Sequence, residues 1–190
     1  MSEKGYLRPP EEIDMAHAER SIRVAGLISL LALAGAVPAA YFMMPVFFVF
    51  PEGLPERLAF AAQASILVLL CVVVAIGMVS TARRFSPEDI GGSAARAPSK
   101  RIAIYVAFLQ NTLEQSVIAV GLYFALATLL SGPWLSLIVV GVIFFLIGRV
   151  LFFRGYSRGV EGRALGMTLT MMPTVIGYLL VLVLMGAKWI

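Results

Sequence analysis

Long apolar runs, separated by short polar connections, fill most of the chain. They cover residues 22–50, 58–80, 102–130, 134–153 and 167–187. A membrane-spanning helix needs about 20 mostly apolar residues, and each run reaches that length. The runs do not alternate polar and apolar positions over about ten residues, which argues against a β-barrel. The pattern predicts an all-α fold, a polytopic membrane helix bundle with five transmembrane helices. It divides the chain into a cytoplasmic N-terminal segment at 1–21, a first helix at 22–50 and a four-helix membrane unit at 58–187.

Composition agrees. Hydrophobic residues make up 60% of the 190 and charged residues 14%, with a mean hydropathy of +0.92. A soluble domain carries about a quarter charged residues, and burying this much apolar surface in one small core would leave the outside greasy. The first run starts after Arg23, is too long for a signal-peptide core and reads as a retained anchor. Cys71 is the one cysteine. It excludes an intrachain disulfide and, inside an apolar run, reads as a small packed side chain.

The net charge of +4 changes the picture through its placement and gives no reason to expect a nucleic-acid partner. Arg83, Arg84, Arg96, Lys100 and Arg101 flank the second connection, and Arg149, Arg154, Arg158 and Arg163 surround the fourth. The other connections hold little positive charge. Positive residues concentrate on the cytoplasmic side, so both basic connections and, by parity, the N-terminus are expected there, with the C-terminus outside. A bacterial inner membrane is the expected location.

Local signals refine the helices. Pro38 and Pro45 lie in the first run and Pro173 in the fifth, where proline removes a backbone donor and bends a helix. Pro51-Glu52-Gly53-Leu54-Pro55 reads as an outer turn. The stretch 81–101, with Pro87, Gly91, Gly92 and Pro98, reads as a partly mobile cytoplasmic loop. The third run is close to 30 residues, about 45 Å as a helix, and exceeds the roughly 30 Å hydrocarbon core. Gly141, Gly148, Gly155 and Gly162 recur every seven residues. They predict a stripe for close helix packing if the fourth helix continues past residue 153.

Two polar clusters stand out against this background. Gln110-Asn111-Thr112-Leu113-Glu114-Gln115-Ser116 is a polar band in an apolar helix. Charged and amide side chains at such depth face a bundle interior or a cavity, and Asn111, Glu114 and Gln115 share one helical face. An ion pair of Glu114 with Arg149 would satisfy the carboxylate. The second cluster is Arg154, Tyr156, Arg158 and Arg163. Guanidinium groups recognise carboxylate and phosphate through a planar fork, although anchoring on anionic lipid would equally place them there. His17 reads as a surface residue. No metal-ligand cluster is present, so no metal is expected.

These two clusters, Asn111-x-x-Glu114 followed by Phe152-Phe153-Arg154-Gly155-Tyr156-Ser157-Arg158 and Arg163, resemble the MAPEG family, the membrane-associated proteins of eicosanoid and glutathione metabolism. The resemblance covers residues 58–187 and is to a bacterial-type member with an added N-terminal helix. It implies four-helix subunits in a homotrimer, with glutathione as co-substrate between neighbouring subunits near the cytoplasmic boundary. It implies that Asn111, Glu114, Tyr156 and Arg158 contact the tripeptide and that Arg163 is the catalytic residue, stabilising the glutathione thiolate; Gln115, on the face of Asn111 and Glu114, and Arg154, in the arginine cluster, join them as ligand-binding candidates. Two positions depart from the family pattern. Ala107 stands where an arginine is usual, and Phe152 where a tyrosine is usual.

The implied function is a glutathione-dependent transferase or peroxidase acting on a hydrophobic small molecule drawn from membrane lipid. The departures keep open a non-enzymatic lipid-binding scaffold or an accessory subunit of a membrane complex. A small transporter or channel subunit, with Glu114 as its ion site, is a third reading.

Overall fold

The computed structural model describes residues 14–187, all of whose regular structure is helical. Five long helices follow one another: α1 (Met15–Phe47), α2 (Leu54–Arg84), α3 (Ala103–Leu129), α4 (Ser136–Gly155) and α5 (Gly159–Ala187). By length and apolarity, four continuous stretches qualify to cross a membrane, because Gly132–Ala187 runs as one stretch of 56 residues. A straight helix of that length would reach about 84 Å, nearly three times the hydrocarbon core. The stretch instead reverses through a single 3-10 turn at Tyr156–Arg158 and through Gly159, whose φ of 78° is open to glycine without strain. Its two halves pack antiparallel, so the protein is an integral membrane bundle of five membrane-length helices.

The helix ends differ from expectation at three helices. α2 runs Leu54–Arg84 and not 58–80, because Pro55 suits a first helical turn, so it takes in Leu54 and Pro55 of the expected outer turn and 81–84 of the expected loop. α1 starts at Met15, ahead of its apolar run, because the Asp14 carboxylate accepts the Ala16 and His17 backbone N–H groups at 3.0 and 3.2 Å. Residues 1–13 of the expected N-terminal segment lie outside the described residues. α5 starts at Gly159 and not at 167, since its polar first turns leave Glu161 exposed while Gly162 and Gly166 meet α4.

The start of α1, the 85–102 connection and the turn at Tyr156–Gly159 gather at one end of the bundle, called here the basic end. At the other end Arg57 donates to the Leu130 carbonyl, which answers one of the open acceptors at the end of α3. Nearby, the Tyr41 and Trp134 rings lie 4.5 Å apart. The connection 85–102 is a string of turns organised on Asp89. Its carboxylate accepts the Ser86 hydroxyl at 2.6 Å, the Ser99 hydroxyl at 2.7 Å and the Ser99 backbone N–H at 2.8 Å. These bonds, led by the one from Ser86 and aided by Arg96, hold the carboxyl below the usual aspartate range.

Packing follows narrow stripes. α2 buries Ala61, Ser65, Val68, Val72, Ala75 and Val79, alternating steps of four and three that keep one seam inward. Its Ile66, Leu67, Leu70, Val73 and Val74 are exposed, as a lipid-facing surface requires. α1 buries Ala18, Ala25, Ser29, Leu33 and Ala40. It packs parallel to α5, with Ser29 Oγ 2.8 Å from Thr168 Oγ1. The buried hydroxyls of Ser65, Ser116, Thr170 and Thr174 donate to carbonyls four residues back in their own helices, an economical way to carry a hydroxyl in lipid.

Along α4 the heptad glycines face different neighbours. Gly141 faces the Tyr123 ring, Gly148 faces Thr170 and the Gly166 carbonyl, and Gly155 faces the backbone of Gly162. Gly162 therefore belongs to the returning helix, opposite Gly155, and does not extend the α4 stripe. A Cβ at Gly155 would run into the Gly162 carbonyl group. Gly155→Ala is expected to destabilise the fold by about 1–3 kcal/mol through overpacking, read as a lowered Tm in detergent. Gly77→Ala, with nothing near its added methyl, serves as the unaffected control.

A second prediction concerns acid. Because folding lowers the Asp89 pKa, its stabilising contribution is complete above the ordinary aspartate value and is lost as pH falls below it. Proteolysis of the 85–102 connection is expected to accelerate on going from neutral pH to about pH 3. In Asp89→Asn the cleavage rate should show no comparable acid dependence.

Candidate functional site

Arg149 organises the polar residues inside the bundle. It lies on α4 with 2% of its surface exposed. Its Nη1 donates to Asn111 Oδ1 at 2.7 Å, and its Nη2 and Nε donate to Thr170 Oγ1 at 2.8 and 3.2 Å. The guanidinium sits over the Phe152 ring at 4.7 Å and near the Phe145 ring at 5.6 Å. Among the described residues no carboxylate pairs with it. A buried cation is thus held by neutral oxygens and aromatic faces, the latter worth about 2 kcal/mol when desolvated.

This arrangement comes from close backbone contact. Gly148 carries no side chain, so α5 approaches until Thr170 touches Arg149. Thr170 donates its own proton to the Gly166 carbonyl at 2.9 Å, which leaves its lone pairs for the guanidinium. Asn111 reaches Arg149 from α3. A guanidinium only donates, so the amide oxygen must face Arg149, and the Asn111 NH2 group points elsewhere.

Toward the basic end the row continues in aromatics. Phe108 packs near Phe152 and Phe153, with ring centroids 6.2 and 5.0 Å away. Tyr105 stacks on Phe153 at 6.1 Å, and Phe152 meets Tyr156 edge-on at 5.4 Å. Arg163, on the first turns of α5, lies 4.7 Å over the Tyr156 ring. Asn111, Arg149, Phe152, Tyr156 and Arg163 thus form one continuous line, from inside the span to the boundary.

The remaining candidates fall elsewhere. Glu114 is exposed on the outer face of α3 and accepts a hydrogen bond from Gln110 at 3.1 Å. The expected ion pair of Glu114 with Arg149 does not form, because Asn111 takes that place. Gln115 is buried, and its Oε1, like Thr112 Oγ1, has no hydrogen-bond partner among the described residues. Arg154 and Arg158 are exposed at the basic end. His17 is exposed and faces Glu161 at 3.5 Å. Ala107 is half-buried and Phe152 is buried among aromatics.

Thr170 and Phe108 escaped sequence reasoning. A lone threonine and a phenylalanine in apolar runs carry no signal. The glycine at 148, one residue before Arg149, was the available hint that another helix comes close there. Among the described residues no group of three His, Cys, Asp or Glu side chains is placed to hold a metal ion.

Removing a neutral oxygen that serves a buried cation should cost more than removing the cation. Asn111→Leu is expected to lower stability by about 1–3 kcal/mol, whereas Arg149→Met, which fills the same space with apolar atoms, should cost less. Thermal unfolding in detergent gives the order, and the reverse order would refute this account of Arg149.

No curated protein and no solved structure matches the chain. The profile of the MAPEG family matches residues 58–183. That range begins within α2 and ends within α5, leaving α1 outside it. With the four-helix unit from α2 to α5 covered, and a line of polar and aromatic residues at its basic end, the chain belongs to the MAPEG family.

Proposed function

We propose that this MAPEG-family protein is a glutathione-dependent transferase or peroxidase acting on hydrophobic electrophiles at the membrane boundary. The observation that carries the reading is the placement of Arg163. Its guanidinium is half-buried over Tyr156, at the end of the line that starts at Asn111, and no carboxylate among the described residues pairs with it. A free cation at a partly dry boundary lowers the pKa of a nearby thiol, and the thiolate is the nucleophile. In this reading the glutathione thiol loses its proton to solvent beside Arg163. The sulfur then attacks an electrophilic carbon presented from the bilayer, and the leaving group departs. Asn111 turns its NH2 toward the peptide, with Glu114, Gln115, Arg154, Tyr156 and Arg158 as further contacts.

Glu114 and Gln110 support an assembly of several copies. They place a carboxylate and an amide on the outer surface of a membrane helix, a costly exposure to lipid. A second copy of the chain covering this face, as in a homotrimer, removes the cost and closes the peptide site. The basic end then faces the cytoplasm of a bacterial inner membrane, in line with the positions of its arginines.

A second reading, a non-enzymatic scaffold or accessory subunit, draws on Ala107 and Phe152. Both positions offer only apolar surface, so the tripeptide would have fewer polar contacts.

The test is conjugation of a hydrophobic electrophile by the purified protein, repeated in inside-out vesicles with glutathione added outside. Turnover is expected in both. Arg163→Ala should lower kcat/KM by about a hundredfold or more, the scale of losing one group that stabilises the reacting charge. Wild-type protein without turnover, or an active Arg163→Ala variant, overturns the assignment.

A further inference from the structure

A groove of about 320 Å³ runs between α1 and α5 at the basic end, within the range of about 300–1,000 Å³ common for ligand pockets. α1 forms one wall and lies outside the residues matched by the family profile, so the groove belongs to the added helix. Its mouth is polar, with His17, Arg20 and Glu161. Its length is apolar, with Val24, Ile28 and Leu165. A polar mouth at the end of a membrane bundle, continued by an apolar trough among lipid-facing residues, has the shape of an amphiphile.

The charges at the mouth narrow the head group. Arg20 and Glu161 line the same groove but form no ion pair with each other. The neighbouring Arg23 is occupied by Glu19, and among the described residues Glu161 has only the His17 ring, 3.5 Å away. Among the described residues, one guanidinium and one carboxylate are therefore open to a ligand that brings an anion and a cation together. A purely anionic head group would meet the Glu161 carboxylate. A trimethylated head group would bring a cation without N–H donors. A primary amine beside a phosphate satisfies both side chains, with the phosphate on Arg20 and the ammonium on Glu161.

We propose that the α1–α5 groove is a binding site for a phospholipid with a primary-amine head group, whose acyl chain lies along Val24, Ile28 and Leu165.

The experiment is native mass spectrometry of the full-length protein released from detergent, with phosphatidylethanolamine, phosphatidylglycerol and phosphatidylcholine of identical chains. Wild-type protein should retain phosphatidylethanolamine about threefold or more over the other two, the scale of an exposed ion pair. Arg20→Gln should weaken retention of phosphatidylethanolamine, whose phosphate Arg20 holds. Glu161→Gln should abolish the preference for the amine over phosphatidylglycerol. Both side chains are exposed, so an unchanged Tm is expected for each variant. Ile28→Trp, which fills the trough without touching the charges, should reduce retention of phosphatidylethanolamine. Equal retention of the three lipids by the wild type, or an unaltered preference in Glu161→Gln, overturns the proposal.

Discussion

The backbone contact between α4 and α5 governs the basic end of this bundle. Lipid supplies no hydrophobic force to press two apolar helices together, so association rests on close packing and hydrogen bonds. Gly148 and Gly155 on α4, with Gly162 and Gly166 on α5, leave no side chain between the backbones. From that approach the rest follows. Thr170 meets Arg149, the Phe152 backbone touches Gly166, and the turn at Gly159 brings Arg163 over Tyr156. A layer of side chains between these helices would separate the arginine from its threonine and leave the Asn111 oxygen to carry its hydrogen bonds.

Polar groups in the bundle divide according to how they are satisfied. The hydroxyls of Ser65, Ser116 and Thr174 return their protons to their own helices and so place little demand on tertiary structure. Arg149 needs two other helices, which makes it a lock among α3, α4 and α5. Among the described residues Glu114 finds only Gln110, on its own helix, and looks outward. The carboxylate and the buried guanidinium are thus kept apart, one turned to the surface of the subunit and the other to its interior.

α1 plays a different part from the other four helices. It shows α4 and α5 a face of mostly small residues and shares one hydrogen bond with Thr168. Its Leu33 and Val37 help line a cavity of about 60 Å³ with Leu122, Tyr123 and Pro173, small and apolar. Added to the outside of the family unit, α1 contributes a wall to grooves without entering the line from Asn111 to Arg163.

The sequence by itself determined the helices, their order, the basic end, and the polar residues from Gln110 to Ser116 as an anomaly. Lipid makes such signals one-dimensional, since a run of apolar residues reports a span whatever its neighbours are. The same uniformity concealed the α2 seam, where Ala61, Ser65 and Ala75 differ from their lipid-facing neighbours in size and not in polarity. Tertiary structure alone decided which polar residues meet. Asn111 and Glu114, three residues apart, differ by only about 60° around a helix of 3.6 residues per turn, so the sequence placed them on one face. That rotation is enough to turn one toward Arg149 and the other outward, and which of the two meets the guanidinium is decided by how α3 packs against α4.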